Sequence, residues 1–172
     1  MLLSFLIGSL GLSACDPQVG RTLKIGNAAP NVVTQTLQDV GGDFSKITTY
    51  RYPDARMYQW SVDKALKTGK PLVLEFATPG HCTVCDNQLQ MLKALMQKYD
   101  PDILFLHLDQ YQNPQAFKAF GVMGDPWTIV VDPEGIVQFT RPGRMLYNEL
   151  DPILKKLTAT QLGLSDEQRK QL

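Results

Sequence analysis

Cys82 and Cys85 stand three positions apart in FATPGHCTVCDNQLQMLKAL, residues 76–95. An apolar run precedes them and a helical pattern follows. Two thiols at that spacing admit three chemistries: a redox couple, a metal clip, or a structural disulfide. Only the thiolate attacks a disulfide or binds a soft metal, so reactivity requires a cysteine pKa brought down from about 8.5. Cys82 falls where the apolar run stops and the helix starts, where unpaired backbone N–H groups and the helix dipole favour negative charge. Cys85, one turn on, is near enough to close a disulfide and is shielded by the helix. As a redox couple, Cys82 attacks a substrate disulfide, a mixed disulfide forms, and Cys85 resolves it; the reverse steps oxidise a substrate.

The elements that must position this pair are readable on both sides of it. PLVLEF is apolar apart from Glu75 and predicts a buried central strand. Leu89, Leu92, Leu95, Met96 and Tyr99 recur at helical spacing until Pro101. ILFLHL predicts a second buried strand, and NPQAFKAFG a short helix capped by Asn113 with Pro114 at its first position. WTIVV and IVQF flank the hairpin turn DPEG. LYNELDPILKKL predicts a last amphipathic helix with Pro152 near its start or at a kink. Upstream, WSVDKALKTGK predicts a short helix ended by Gly69, with Val62, Ala65 and Leu66 on one face. NVVTQTL has strand composition, VGGD is a turn signal, and FSKITTYRY is a candidate second strand. The alternation of strands and helices implies an α/β fold with helices on both faces of a central mixed sheet.

A chain of 172 residues suits one domain, and 17 basic residues balance 17 acidic ones. That balance argues against nucleic acid as a partner. The first residues are different in kind. MLLSFLIGSLGLSAC is apolar from Leu2 to Leu12, too short for a permanent membrane span and suited to the core of an export signal. It carries no Lys or Arg, so only the α-amino group supplies positive charge. Leu12-Ser13-Ala14-Cys15 resembles a bacterial lipobox, in which the cysteine is acylated and becomes the mature N-terminus. Acyl chains would hold the domain at a membrane, each buried methylene contributing about 0.8 kcal/mol. Asp16 resembles the signal that retains such lipoproteins at the inner membrane. The expected organisation is a signal over 1–15, a tether over 16–30, a domain over 31–160, and a polar helical tail over 161–172, which opens on a capping box at Ser165. With Cys15 consumed as a thioether, two of the three cysteines remain as thiols. They pair with each other or with another molecule.

LVLEFATPGHCTVC, FLHLDQ, FGVMGDPWTIVVDPEGIVQ and RPGR together resemble the thioredoxin superfamily over about residues 58–158. The resemblance implies a three-layer sandwich and thiol–disulfide exchange on protein disulfides, with no cofactor beyond the Cys82–Cys85 disulfide. It implies that Pro126 is cis, packs against the disulfide and leaves a backbone edge open to a substrate strand. It also implies that Glu75 is the buried carboxylate that relays a proton to the second cysteine; the alternative is an acid that reaches water at the strand's end. IGNAAPN resembles the opening of membrane-tethered periplasmic reductases of this superfamily, and VDKALKTGKPLVLEF its domains that take electrons from a membrane hub. The implied location is the periplasmic side of a bacterial membrane, with a membrane electron donor as partner.

Three departures from the family bear on the site. His81 replaces the usual Trp before the first cysteine; a protonated His81 would stabilise the Cys82 thiolate, and the alternative is an exposed loop residue. ATPG holds one extra residue, which Pro79 and Gly80 accommodate. Asp125 precedes Pro126 where Ile, Val or Thr is common; its charge near Cys82 would oppose the thiolate and favour the reducing direction. Trp127, Phe76, Met91 and Met96 read as packing and His107 as a hydrogen-bonded core histidine. Asp109, at the end of the next strand, is assigned no chemistry. Two other functions remain open. HCTVC offers one imidazole and two thiolates to Cu(I) or Zn(II), without the longer cysteine spacing and distal histidine of copper chaperones with this fold. The fold could also be a redox-inert interaction scaffold with a structural disulfide.

Overall fold

The computed structural model describes residues 23–161. The signal segment with Cys15, the first part of the tether and the tail beyond Gln161 lie outside the described residues.

Four strands form one sheet in the order β2-β1-β3-β4: β1 (Leu72–Phe76), β2 (Leu104–Leu108), β3 (Trp127–Val131) and β4 (Val137–Pro142). β1 and β2 are parallel, β1 and β3 antiparallel, and β3 and β4 antiparallel. With no edge to water, β1 is buried at every position. The parallel pair needs a crossover, which α2 (Thr83–Tyr99) supplies. α3 (Pro114–Phe120) leads from β2 to β3, and α4 (Tyr147–Gln161) follows β4. A short α1 (Val62–Ala65) continues as one 3₁₀ turn and ends at Gly69, whose φ of 66° is the left-handed conformation that suits glycine. The result is a thioredoxin-like three-layer α/β sandwich.

Strand alternation divides the core in two. Val73, Phe105 and Val130 face Leu89, Leu92, Leu95 and Met96 of α2 and Leu150 and Leu154 of α4. Leu72, Leu74, Phe76, Leu106, Ile129 and Val131 face Val62 and Ala65 of α1 and Phe117 and Phe120 of α3. Each fully buried leucine contributes about 1.5–3 kcal/mol. Phe76 and Trp127 pack as expected, and Met96 is buried while Met91 is partly so. Pro152 lies inside α4, at its sixth residue.

Residues 31–58 depart from the expectation of two strands. They form loops and the 3₁₀ turns Phe44–Lys46 and Ala55–Tyr58. Short side chains take the backbone bonds that a ladder would use: Thr36 N–H donates to Asp39 Oδ2, Ser45 N–H to Asp43 Oδ1, and Tyr50 N–H to Thr48 Oγ1. Residues 23–30, expected within the tether, lie against the sheet instead. Gly26 N–H donates to the Val137 carbonyl, Val137 N–H to the Asn27 carbonyl and Ala29 N–H to the Gly135 carbonyl, while Leu23 is buried. No helix among the described residues is long and apolar enough to cross a membrane.

Candidate active site

Cys82 is the residue before the first turn of α2, in extended backbone, and Cys85 is inside that turn. A disulfide joins them, with Cα atoms 5.3 Å apart. Cys85 is fully buried and Cys82 half-buried, so the two sulfurs differ in access. Cys85 N–H points at Cys82 Sγ from 3.2 Å. A thiolate at Cys82 would therefore cap the helix as a serine or aspartate oxygen does.

The loop between β1 and α2 is anchored from behind. Asp109 is fully buried; its Oδ2 accepts from Thr49 N–H at 2.7 Å and Thr49 Oγ1–H at 2.6 Å, and its Oδ1 accepts from Tyr111 N–H at 3.0 Å. Thr49 Oγ1 in turn accepts Gly80 N–H at 2.8 Å. A Cβ on Gly80 would meet Thr49 Cβ at 3.0 Å, so the close approach favours glycine. The extra residue of ATPG is thus held by a turn, His81 N–H to the Thr78 carbonyl, and by Thr49. His107 is a buried core histidine: Nε2 donates to the Ala77 carbonyl at 2.9 Å, which leaves Nδ1 to accept from Tyr58 O–H at 2.6 Å. Burial lowers its pKa, so the ring is neutral.

The Asp125–Pro126 peptide is cis, as is Asp100–Pro101. Cys82 Sγ is 3.9 Å from the Asp125 carbonyl oxygen. A carboxylate oxygen of Asp125 lies within 4.8 Å of both sulfurs. Asp125 Oδ2 is buried and accepts no hydrogen bond; His81 Nε2 is beside it at 3.4 Å. The other ring nitrogen of His81 meets Tyr111 Oη at 3.1 Å. The structure thus joins His81 to Asp125 and Tyr111.

Glu75 does not reach water. It is fully buried, and strand alternation puts it on the α2 side with Val73 and Cys85. Thr128 Oγ1–H donates to its Oε2 at 2.7 Å, while Oε1 is buried without a partner. Desolvation pushes its pKa from 4.5 up to about 8, against the opposing effect of Thr128 and Gln88. A neutral carboxyl near pH 7 that can lose its proton is matched to acid–base work.

The site unites Cys82, Cys85, Asp125, Pro126 and His81, with Glu75 under the same face; Cys15 is outside the described residues. Sequence reasoning left Asp109 without a role and missed Thr49, Tyr111, Gln88 and Thr128. Only Gln88 carried a signal, as a polar residue on the apolar stripe of α2. This arrangement is competent for thiol–disulfide exchange. The reduced pair with Asp125 could also hold a soft metal ion.

No protein-family model matches the chain, and no curated protein sequence does. Among solved structures it is similar to Fasciola hepatica thioredoxin, at 21% identity and a TM-score of 0.47 over 52% of this chain and 82% of that one. Mitochondrial thioredoxin 3 from Saccharomyces cerevisiae, oxidized form, is 25% identical with a TM-score of 0.48, over 54% of this chain and 83% of that one. A malarial protein is 23% identical with a TM-score of 0.48, over 51% and 97%.

Proposed function

We propose that this chain is a thiol–disulfide oxidoreductase that reduces disulfides of exported proteins. A lipid on Cys15 tethers it to the periplasmic side of a bacterial membrane, the inner one by virtue of Asp16, and a membrane protein supplies its electrons. The observation that carries this reading is the asymmetric disulfide: an accessible sulfur at a helix start, joined to a buried sulfur on the same side of the sheet as a buried, protonatable carboxylate.

In the reduced chain the Cys82 thiolate attacks one sulfur of a substrate disulfide. The Cys82–substrate bond forms, the substrate disulfide breaks, and the electron pair leaves on the second substrate sulfur, which takes a proton from water. Glu75, in its ionised form, then takes the Cys85 proton as Cys85 attacks Cys82 Sγ. The Cys82–Cys85 bond forms, the Cys82–substrate bond breaks, and the first substrate sulfur leaves with the electron pair and takes a proton from water. The substrate disulfide is reduced to two thiols, and the dithiol of this chain is oxidised to its disulfide. No bound cofactor is needed. Pro126 and the Asp125 carbonyl border the space where the substrate sulfur arrives.

The test is reduction of a protein disulfide by wild type and Cys82→Ser, with the potential of the couple measured against glutathione. We expect turnover in wild type, its loss by more than about a thousandfold in the variant, and a potential near that of thioredoxin, about −270 mV. Equal, negligible turnover by both proteins would leave a redox-inert scaffold. A second reading rests on Asp125, whose carboxylate joins the two sulfurs within 4.8 Å as a third metal ligand. Zinc or copper titration of the reduced protein distinguishes it, since stoichiometric binding that Asp125→Ala abolishes favours a metal module.

A further inference from the structure

Gln88 lies one turn after Cys85 on the buried face of α2 and is 1% exposed. The two ends of its amide cannot be exchanged. Met145 N–H can only donate, and it lies 2.9 Å from one end, so that end is the carbonyl oxygen. The other end is then the NH₂ group, which donates to Thr128 Oγ1 at 3.2 Å. Thr128 has one hydroxyl hydrogen, and it goes to Glu75 Oε2 at 2.7 Å. Every donor in the row points the same way, from the β4–α4 loop to the carboxylate. Oε2 is therefore an acceptor in both protonation states. The ionisable proton is left to Oε1, which is buried and accepts no hydrogen bond, while the Gln88 side chain also favours the Glu75 anion.

We propose that Gln88 is a positioning residue: through Thr128 it reserves Oε2 as an acceptor and makes Oε1 the oxygen that takes the Cys85 proton. The inference deepens the reading above and rests on it for the use of that proton. When Cys85 attacks the mixed disulfide, its S–H bond breaks and an O–H bond forms at Oε1 of the ionised carboxylate; the electron pair on sulfur forms the Cys82–Cys85 bond, and the Cys82–substrate bond breaks with its pair leaving on the substrate sulfur. Other titratable groups facing Glu75 from the packed elements are few. His107 is opposite it on β2 and neutral, Tyr58 is on the Ala55–Tyr58 turn, and Asp109 follows β2 and is engaged by Thr49.

The experiment is a double-mutant cycle read by carbon-13 NMR titration of Glu75 in the disulfide form of the full chain. Losing a hydrogen bond donated to a carboxylate disfavours the anion. We expect Thr128→Val to make Glu75 roughly tenfold weaker as an acid and Gln88→Leu about threefold weaker. Thr128→Ser should restore the wild-type value, and Gln88→Leu should cost less beside Thr128→Val than it does alone. A Gln88→Leu effect that persists in full beside Thr128→Val, or is absent from the single variant, overturns the proposal. If Gln88→Leu does not fold, the Thr128 pair decides: a Thr128→Val protein that titrates as wild type overturns it. The pH profile of mixed-disulfide resolution should move with Glu75 in each variant; a fixed profile overturns the use of Oε1. Turnover separates the two readings. A wild type without turnover but with the expected cycle leaves the hydrogen-bond row standing and removes the function it serves.

Discussion

Around Cys82 the polar groups are half exposed and joined by long contacts, 3.4 Å from His81 to Asp125 and 3.1 Å from His81 to Tyr111. Around Cys85 they are dry, with Glu75, Thr128 and Gln88 all 1% exposed or less and the Thr128–Glu75 bond 2.7 Å long. A loose rim tolerates an incoming chain; a dry floor fixes where a proton goes. In the proposed reaction the two halves of one disulfide would serve different steps, attack at the rim and resolution at the floor.

The strongest blow to that contrast is at the floor. Glu75→Gln keeps the shape and removes the proton site. Resolution should slow by about a hundredfold while attack by Cys82 is spared, read as accumulation of mixed disulfide in stopped-flow kinetics. The same variant tests stability. The pKa of Glu75 is raised from 4.5 to about 8 in the fold, so the native state holds a proton that the unfolded chain releases. The contribution of Glu75 to stability is full below about 4.5 and is lost as pH rises to about 8, by up to roughly 5 kcal/mol. Urea unfolding of Glu75→Gln should lose most of that slope, and an unchanged slope would refute the buried ionisation.

The wall behind the rim comes next. Asp109→Ala leaves Thr49 N–H and Tyr111 N–H without their acceptor and frees Gly80 from Thr49. A stability loss of about 3 kcal/mol is expected in urea unfolding, and a loss under about 0.5 kcal/mol would show that the loop is held otherwise. The smallest effect is at the rim itself. Asp125→Asn removes a negative charge near Cys82 and should give about threefold to tenfold more thiolate at neutral pH, read from the pH dependence of iodoacetamide alkylation. An unchanged or higher thiol pKa would remove Asp125 from the tuning of the pair.

Much of residues 62–161 was legible because burial there follows a period. The run PLVLEF, the stripe Leu89, Leu92, Leu95 and the DPEG turn each fix an element, and the elements place Cys82 and Cys85. Residues 31–58 were not legible, because threonine and aspartate side chains replace the partner strand that NVVTQTL and FSKITTYRY would need. Asp109 escaped for another reason. Its partner Thr49 is sixty residues away, and no local spacing records such a pair. Thr128 escaped because a threonine in a buried strand is ordinary β-former composition until its neighbours are known.

The backbone bonds of Gly26, Asn27 and Ala29 have a consequence for orientation. They meet β4 at its Val137 end, whereas the disulfide lies beyond the Pro142–Trp127 end of the same hairpin. About 17 Å of sheet, five residues at roughly 3.3 Å each, separates the two poles. A leash running to a bilayer from the first residues would thus join the globule at its rear, leaving the reactive sulfur turned outward to meet clients rather than pressed against lipid.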